Sequence, residues 1–330
     1  MSKLRAGLIG LGMMGRHHAR VLSSLDDVEL VAVADPGGDR FGVAGGRPVL
    51  NDVHQLIDAE IDYCMVAVPT QFHLEVGTAL AEAGVHALIE KPLAESVATA
   101  EKLAAEFTNR GLVGGVGHIE RYNPALQAAR ARIEQGELGD VYQVATRRQG
   151  PFPGRIADVG VVFDLATHDI DLTAWVTQQD YVSITAQTAH KSGREHEDLV
   201  AATGLLSGGT VTNHLVNWLS PLKERSTVIT GEKGTFIADT LTADLTWYAN
   251  GEVQTTWDDI SRFRGVSEGD VIRYAIAKPE PLRVEHEQFR NLLQGNEDAD
   301  VVTLEQGLQT VRVAEQCLRS ARGETPVPLA

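Results

Sequence analysis

The 330-residue sequence predicts two fold classes in succession, a doubly wound parallel α/β sheet and then an α+β domain built on a mostly antiparallel, open-faced sheet. Three observations predict it. Short apolar runs alternate with helix-period segments over the first 118 residues, as in parallel strands joined by crossover helices. A glycine-rich turn separates the first of those runs from the first helix. Beyond His118, strand-like segments follow one another with hairpin signals among them, which calls for antiparallel pairing. A chain of this length exceeds what one core serves, so the domains are expected at 1–118 and 119–330.

The elements follow in order. Leu4 to Ile9 reads as a buried strand, and Gly15 to Leu25 as a helix with Ala19, Leu22 and Leu25 inward. A strand at Leu30 to Ala34, a helix near Val53 to Ile57, a strand at Tyr63 to Val68 and a helix at His73 to Ala83 continue the alternation. Ala87 to Ile89, a helix from Ser96 to Asn109 and the strand Leu112 to Val116 complete the first domain. A helix from Asn123 to Glu134, ended by Gly136 and Gly139, opens the second. Strands are predicted at Val141 to Arg148, Val182 to His190, Asp198 to Leu206, Gly209 to Trp218, Arg225 to Thr230, Gly234 to Asp239 and Leu245 to Tyr248. Ser207-Gly208-Gly209 and Asn250-Gly251 are the hairpin signals, and helices at Val284 to Leu293 and Thr303 to Ser320 follow.

Composition narrows the function. A net charge of −16 repels nucleic acid and anionic membrane, so neither is an expected partner, and an anionic ligand needs local arginines. The two cysteines, Cys64 and Cys317, suggest buried reduced thiols and no disulfide framework. The basic start at Lys3 and Arg5 leads into an apolar stretch broken by Gly7, Gly10, Gly12 and Gly15, unlike a secretory leader, and no segment is apolar enough to span a bilayer. A cytoplasmic location is expected.

Gly10-Leu11-Gly12-Met13-Met14-Gly15 lies between strand and helix, where close backbone approach and a helix N-terminus hold a pyrophosphate, the Rossmann fingerprint. Gly10, Gly12, Met13, Met14 and Gly15 are therefore assigned to the cofactor. Asp35 ends the second strand twenty residues beyond Gly15, where a carboxylate accepts hydrogen bonds from a ribose and disfavours a 2′-phosphate. NAD is favoured over NADP, although Arg40 keeps the second open. Pro69, Thr70 and His73, where the third strand gives way to its helix, are expected to border the cofactor.

Glu90-Lys91-Pro92 follows a strand and so emerges at the carboxyl edge of the sheet, where open α/β folds place ligands. Lys91 would face the nicotinamide and Glu90 its ribose. Asp164 and His168 are four apart and share one face if helical. Taken singly, a lysine before proline is a surface turn, and an Asp/His pair is a helix cap or satisfied core contact.

Together these features resemble the glucose-fructose oxidoreductase/inositol dehydrogenase (Gfo/Idh/MocA) family over nearly the whole chain. Glu90-Lys91-Pro92 matches the family's EKP motif, and Asp164, His168 and Asp171 match its Asp-x3-His-x2-Asp pattern. Ala166 stands where many members carry glycine. Within the family, Gly117 to Ala125, Arg147 to Pro153, Arg155-Ile156 and Asp158 to Val162 resemble UDP-N-acetylglucosamine 3-dehydrogenases. Tyr122 departs from the phenylalanine common there, and His17 from asparagine.

The resemblance implies an NAD-dependent oxidoreductase of the CH–OH class acting on a small-molecule sugar or nucleotide sugar, at C3 of a UDP-N-acetylhexosamine in the leading case. Lys91, Asp164 and His168 would be catalytic. His168 would accept the hydroxyl proton, Asp164 would orient it, and Lys91 would hydrogen-bond the reacting oxygen. Substrate-binding candidates are Arg121, Asn123, Arg148, Arg155, Asp164 and His168, the arginines because a diphosphate needs cations in an acidic protein. Arg147 and Arg148 are strand neighbours on opposite faces, so only one is expected to reach a cleft. Asn123 either contacts the sugar or caps the helix that starts there. The alternatives are an inositol or free-sugar dehydrogenase and a catalytically silent NAD(H) sensor. A homodimer or homotetramer through the second sheet is also implied.

The remaining conspicuous residues read as structural. Trp175, Trp218, Trp247 and Trp257 would pack the second domain, and His17 and His18 would lie on a helix surface or beside the cofactor loop. His190, Glu195, His196, Glu197 and Asp198 lack recognised metal-ligand spacing, so no metal is expected.

Overall fold

The computed structural model describes residues 3–154, 159–251, 268–324 and 329. The chain divides into two compact units, Met1–Ile119 with Glu280–Glu315, and Glu120–Pro279 with Gln316–Ala330.

The first unit alternates β1 (Leu4–Ile9), α1 (Met13–Leu22), β2 (Val28–Ala34), β3 (Val49–Leu50), α2 (Val53–Ile57), β4 (Tyr63–Val66), α3 (His73–Glu82), β5 (His86–Glu90), α4 (Val97–Thr108) and β6 (Gly114–Gly117). All six strands run parallel in the order β3-β2-β1-β4-β5-β6, the doubly wound order whose strand reversal lies beside β1. Every residue of β4 is buried, as a strand covered on both faces requires. Ser96 starts α4 by accepting from the Thr99 amide at 3.2 Å.

The expected second domain, 119–330, differs from this division, because Glu280–Glu315 counts with the first unit. The physical reason lies in α7 (Pro281–Leu293), whose Phe289 enters the core of the parallel sheet with its ring centroid 5.6 Å from that of Tyr63. Gly115 of β6 leaves room for Phe289 and Val301, which a Cβ there would crowd.

The second unit contains α5 (Pro124–Glu134), β7 (Val141–Pro151), a π-helical turn at Val162–Ala166, α6 (Thr167–Thr177), β8 (Tyr181–Ala189), β9 (Leu199–Leu206), β10 (Val211–Asn217), β11 (Leu219–Gly231), β12 (Gly234–Asp239), β13 (Asp244–Asn250) and β14 (Glu268–Arg273). Its sheet runs β14-β13-β12-β11-β7-β10-β9-β8, and β7 with β10 is the one parallel pair among the described strands of this sheet. Burial alternates along β9, so one face of the sheet is packed and the other is open. Leu126 and Ala129 of α5 and Leu172 and Val176 of α6 cover Val144, Ile229 and Phe236 on the packed face. Ser207-Gly208-Gly209 makes the β9–β10 turn, with Gly209 at φ +87°. Asn250 ends β13.

The tail helix α8 (Leu304–Ala321) begins in the first unit, and its residues from Gln316 count with the second. Trp175 and Trp218 are buried, Trp247 packs on Phe236 at 4.6 Å, and Trp257 lies outside the described residues. Cys64 and Cys317 are free and buried, and burial pushes the Cys317 thiol up to about 12. Among the described residues no helix is long and apolar enough to cross a membrane.

Candidate functional site

In the first unit the turn between β1 and α1 is built for close approach. Gly10 holds φ +92°, and a Cβ there would lie 2.5 Å from the Ala67 carbonyl at the end of β4. A Cβ on Gly15 would run into the Gly10 carbonyl oxygen, so the third glycine is what lets α1 pack against the turn. Gly12 is the N-cap of α1 without any side-chain cap, and the first turn carries no acid. Such a helix start offers backbone N–H groups and positive dipole to an anion. Met13 is exposed and Met14 half-buried at the same turn.

Asp35, at the carboxyl end of β2, is held by two amides. Leu11 N donates to Oδ2 at 2.8 Å and Gly37 N to Oδ1 at 2.7 Å. The carboxylate is thereby fixed beside the glycine turn with lone pairs still available for ribose hydroxyls. These features fit a dinucleotide.

The carboxyl ends of β4 and β5 are tied together by His73. Its Nδ1 lies 3.1 Å from the Pro92 carbonyl and 3.2 Å from that of Leu93, while Nε2 lies 3.1 Å from the Val68 carbonyl. His73 is 1% exposed, and burial lowers its pKa although the carbonyls oppose that shift. The neutral ring has one N–H to donate and backbone carbonyls beside both nitrogens, so the buried His73 is a clasp between the two loops, which corrects its assignment to the cofactor. Thr70 is buried in the short turn after Pro69. Lys91 is half-buried and its peptide to Pro92 is cis. Glu90 is buried, with Oε2 accepting from the Lys91 amide at 3.0 Å and Oε1 lying 2.9 Å from His18 Nε2.

In the second unit Asp164 falls in the π-helical turn and His168 in the first turn of α6, so the Asp-x3-His segment is helical as the shared-face reading requires. Asp164 is buried and His168 half-buried. π-turns inside helices recur at functional positions. Glu197 caps the segment, its Oε1 accepting from the Val162 amide at 3.0 Å. Asp198 closes the neighbouring turn by accepting from Lys191 N at 2.8 Å and Ser192 N at 2.6 Å. Glu197 and Asp198 therefore serve backbone amides, and no metal-binding group stands among the described residues.

The arginine assignments need correction. Arg121 grips Asp171 with Nε at 2.9 Å and Nη2 at 2.6 Å, and both residues are buried. Arg148 donates to Asp169 at 2.9 Å and Glu120 at 2.7 Å and is 3% exposed, whereas Arg147 on the opposite face is exposed. These guanidiniums lock α6 in place with carboxylates already matched to them, so neither offers spare charge to a diphosphate. Asn123 is the N-cap of α5. Its Oδ1 accepts from Ala125 N at 3.1 Å and its Nδ2 donates to the Thr240 carbonyl at 3.0 Å, which fills the amide that was assigned to the sugar. Arg155 lies outside the described residues.

Two features escape sequence reasoning. Arg225 faces Arg148 across the β11–β7 pairing, is half-buried, and among the described residues donates from Nη1 to the carbonyls of Gln149 and Glu224. Burial and the like charge of Arg148 lower its pKa, and Asp169, Glu120 and, least, Asp164 oppose that shift. His18, expected at a helix surface or beside the cofactor loop, is fully buried against Glu90 and His286. Its spacing from Leu22 and Leu25 is the signal that places it inward.

Comparison with known proteins agrees with this geometry. Residues 4–118 match the model described as an oxidoreductase family with an NAD-binding Rossmann fold, and residues 126–237 match the GFO/IDH/MocA C-terminal domain. The chain belongs to the Gfo/Idh/MocA oxidoreductase family. Its NAD-binding domain thus carries the Gly10 turn and Asp35. Among relatives, a UDP-N-acetylglucosamine 3-dehydrogenase of Acidithiobacillus ferrooxidans is 32% identical over 216 residues, covering 64% of this chain and 66% of that protein. An inositol 2-dehydrogenase of Saccharopolyspora erythraea is 30% identical over 203 residues, covering 59% of this chain and 60% of that one. The sequence alignments thus span less than two thirds of these relatives. A solved structure of the Acidithiobacillus ferrooxidans enzyme matches 98% of this chain and 99% of its own, with a TM-score of 0.83 at 28% identity.

Proposed function

We propose that this Gfo/Idh/MocA protein oxidises a secondary alcohol of a nucleotide sugar with NAD, at C3 of a UDP-N-acetylhexosamine. The likeness over 98% of the chain to a UDP-N-acetylglucosamine 3-dehydrogenase carries the reading. The bound cofactor supplies the redox chemistry as hydride acceptor. Gly10, Gly12, Met13, Met14 and Gly15 would hold its pyrophosphate, Asp35 its adenosine ribose, Pro69 and Thr70 one face of its nicotinamide, and Glu90 the nearer ribose. Lys91 would hydrogen-bond the reacting oxygen. His168 would take the hydroxyl proton, with Asp164 orienting the ring and stabilising its cationic form. Arg225 and Arg155 would supply the cationic charge that Arg121 and Arg148 have given to carboxylates.

A second reading, oxidation of an inositol or free sugar, is favoured by one observation. Buried Arg121 and Arg148 are already paired with carboxylates, and a substrate without a diphosphate needs neither. An absorbance screen for NADH formation across UDP-sugars, free sugars and inositols decides between the two. The expected result is a signal with a UDP-N-acetylhexosamine, and oxidation of free inositol far above every UDP-sugar overturns the proposal.

A further inference from the structure

A row of hydrogen-bonded titratable side chains runs through the interior of the first unit behind Lys91. His18 of α1 places Nε2 2.9 Å from Glu90 Oε1 and Nδ1 2.9 Å from Nε2 of His286 on α7. His18, Glu90 and His286 are 0%, 8% and 1% exposed. The other Glu90 oxygen accepts from the Lys91 amide, so the row ends on the peptide that carries the proposed oxygen-binding lysine.

The direction of the row follows from its buried atoms. Burial and the neighbouring His18 hold the His286 pKa well below its ordinary value, so His286 is neutral. Its Nδ1 is buried without a hydrogen-bond partner among the described residues. An unpartnered lone pair is tolerated in an interior better than an unpartnered N–H, which puts the one hydrogen on Nε2. His286 Nε2–H then donates to His18 Nδ1, and His18 Nε2–H donates to Glu90. The His18 contacts and the positive charge of Lys91 outweigh burial and keep Glu90 below its ordinary range. Around Glu90 stand His18 of α1, His73 of α3, Lys91, and Glu285 of α7, which burial and Glu90 together keep protonated. Around His18 stand His17, Glu90 and His286.

We propose that His18 and His286 are positioning residues that act through Glu90, fixing its carboxylate so that the Glu90-Lys91 pair meets the bound cofactor in one orientation. The claim rests on the reading of Glu90 as the residue at the nicotinamide ribose. It assigns a task to two histidines that touch neither cofactor nor substrate. His286 sets the tautomer of His18 because it donates to the very lone pair that a proton would occupy. Without that donor the Nδ1 lone pair of His18 stands open to a proton, and a cationic His18 draws the Glu90 carboxylate into an ion pair.

The test uses the full chain with NADH and the variants His286→Leu and His286→Gln. Leucine removes the donor, while glutamine returns an N–H of similar reach. NADH affinity, read by fluorescence, should match wild type within about twofold at pH 8 in His286→Leu and fall roughly tenfold at pH 6, a loss in the range seen when a supporting hydrogen bond behind a ligand is removed. His286→Gln should restore the wild-type pH dependence. Imidazole nitrogen signals in NMR spectra should show His18 as the Nε2–H tautomer in wild type and lose that form at pH 6 only in the leucine variant. A leucine variant whose NADH affinity follows wild type at every pH, or a wild-type His18 protonated on Nδ1 alone, overturns the proposal. Failure of the wild-type protein to reduce NAD with any sugar or inositol overturns the proposed activity, and leaves these binding and tautomer readouts to decide the row by themselves.

Discussion

Arg148 Nε donates to Asp169 Oδ2 at 2.9 Å with both side chains sealed from solvent. The pair joins β7 to α6, the helix that carries His168. Removing one partner of such a pair leaves an uncompensated buried charge. Arg148→Ala is therefore expected to lower unfolding free energy by about 3–5 kcal/mol, measured by urea denaturation without ligand. Wild-type stability together with a raised KM for a UDP-sugar would return Arg148 to the substrate.

Asn123→Ala should cost about 1 kcal/mol, the usual worth of an N-cap. It removes the acceptor for Ala125 N and the donor to the Thr240 carbonyl. Thermal melting with and without UDP-sugar should show the same drop in both conditions. A drop confined to the protection given by ligand would mean that the amide reaches the sugar.

These two residues mark where sequence reasoning stops. The parallel sheet is legible because strands such as Tyr63-Cys64-Met65-Val66 are continuous apolar runs between helix signals. Strand β3 has two residues and β14 runs Glu-Gly-Asp-Val-Ile-Arg without apolar alternation, so neither offers a period to read. Glycine spacing and Asp35 are legible because their geometry is local to one βαβ unit. Arg148 is different: alternation along β7 tells that it points away from Arg147, and nothing local tells that Asp169 and Glu120 wait on that face. His18 likewise reveals its inward phase through Leu22 and Leu25, while its partners Glu90 and His286 lie 72 and 268 residues away.

Asp35→Ala should weaken NAD binding and narrow the preference over NADP, because it deletes the ribose acceptor and the charge that repels a 2′-phosphate. The backbone amides of Leu11 and Gly37 lose their acceptor as well, so the turn itself loosens. Titrations of wild type and variant with both cofactors check this, and tighter NADP than NAD binding by wild type would refute the role of Asp35.

His214 gives a pH signature with a definite sign. It is buried between Thr146 Oγ1 and Tyr181 Oη, each 2.8 Å away, and burial lowers its pKa from 6.5 to about 4. Both hydroxyls rotate to suit a neutral ring. Between pH 6.5 and about 4 the unfolded chain binds a proton that the folded one refuses, so stability falls as pH drops through that window and is unaffected by His214 above it. The span corresponds to about 3 kcal/mol. The difference in unfolding free energy between wild type and His214→Gln, followed from pH 7 to 4, should therefore shift in favour of the variant as pH falls, and a flat difference would show that His214 titrates normally.

The last prediction concerns the residues assigned to proton transfer. His168 stands in the first turn of α6 next to Asp169, whose ion pair with Arg148 anchors the helix independently of the imidazole. Lys91 owes its place to the β5 strand end and to the Glu90 carboxylate that accepts its amide, contacts that survive loss of the side chain. Truncating either should therefore leave the fold and NADH affinity close to wild type. Turnover should fall by roughly two to four orders of magnitude, the usual contribution of a positioned acid or base. If His168 receives the proton while Lys91 holds the same oxygen, the two losses serve one step, and the double variant should be little worse than the more damaged single one. Measuring kcat for His168→Ala, Lys91→Ala and the pair, alongside NADH titrations, separates the cases. Near-normal turnover in His168→Ala removes the proposed base, and fully additive losses mean that the two side chains act on different steps.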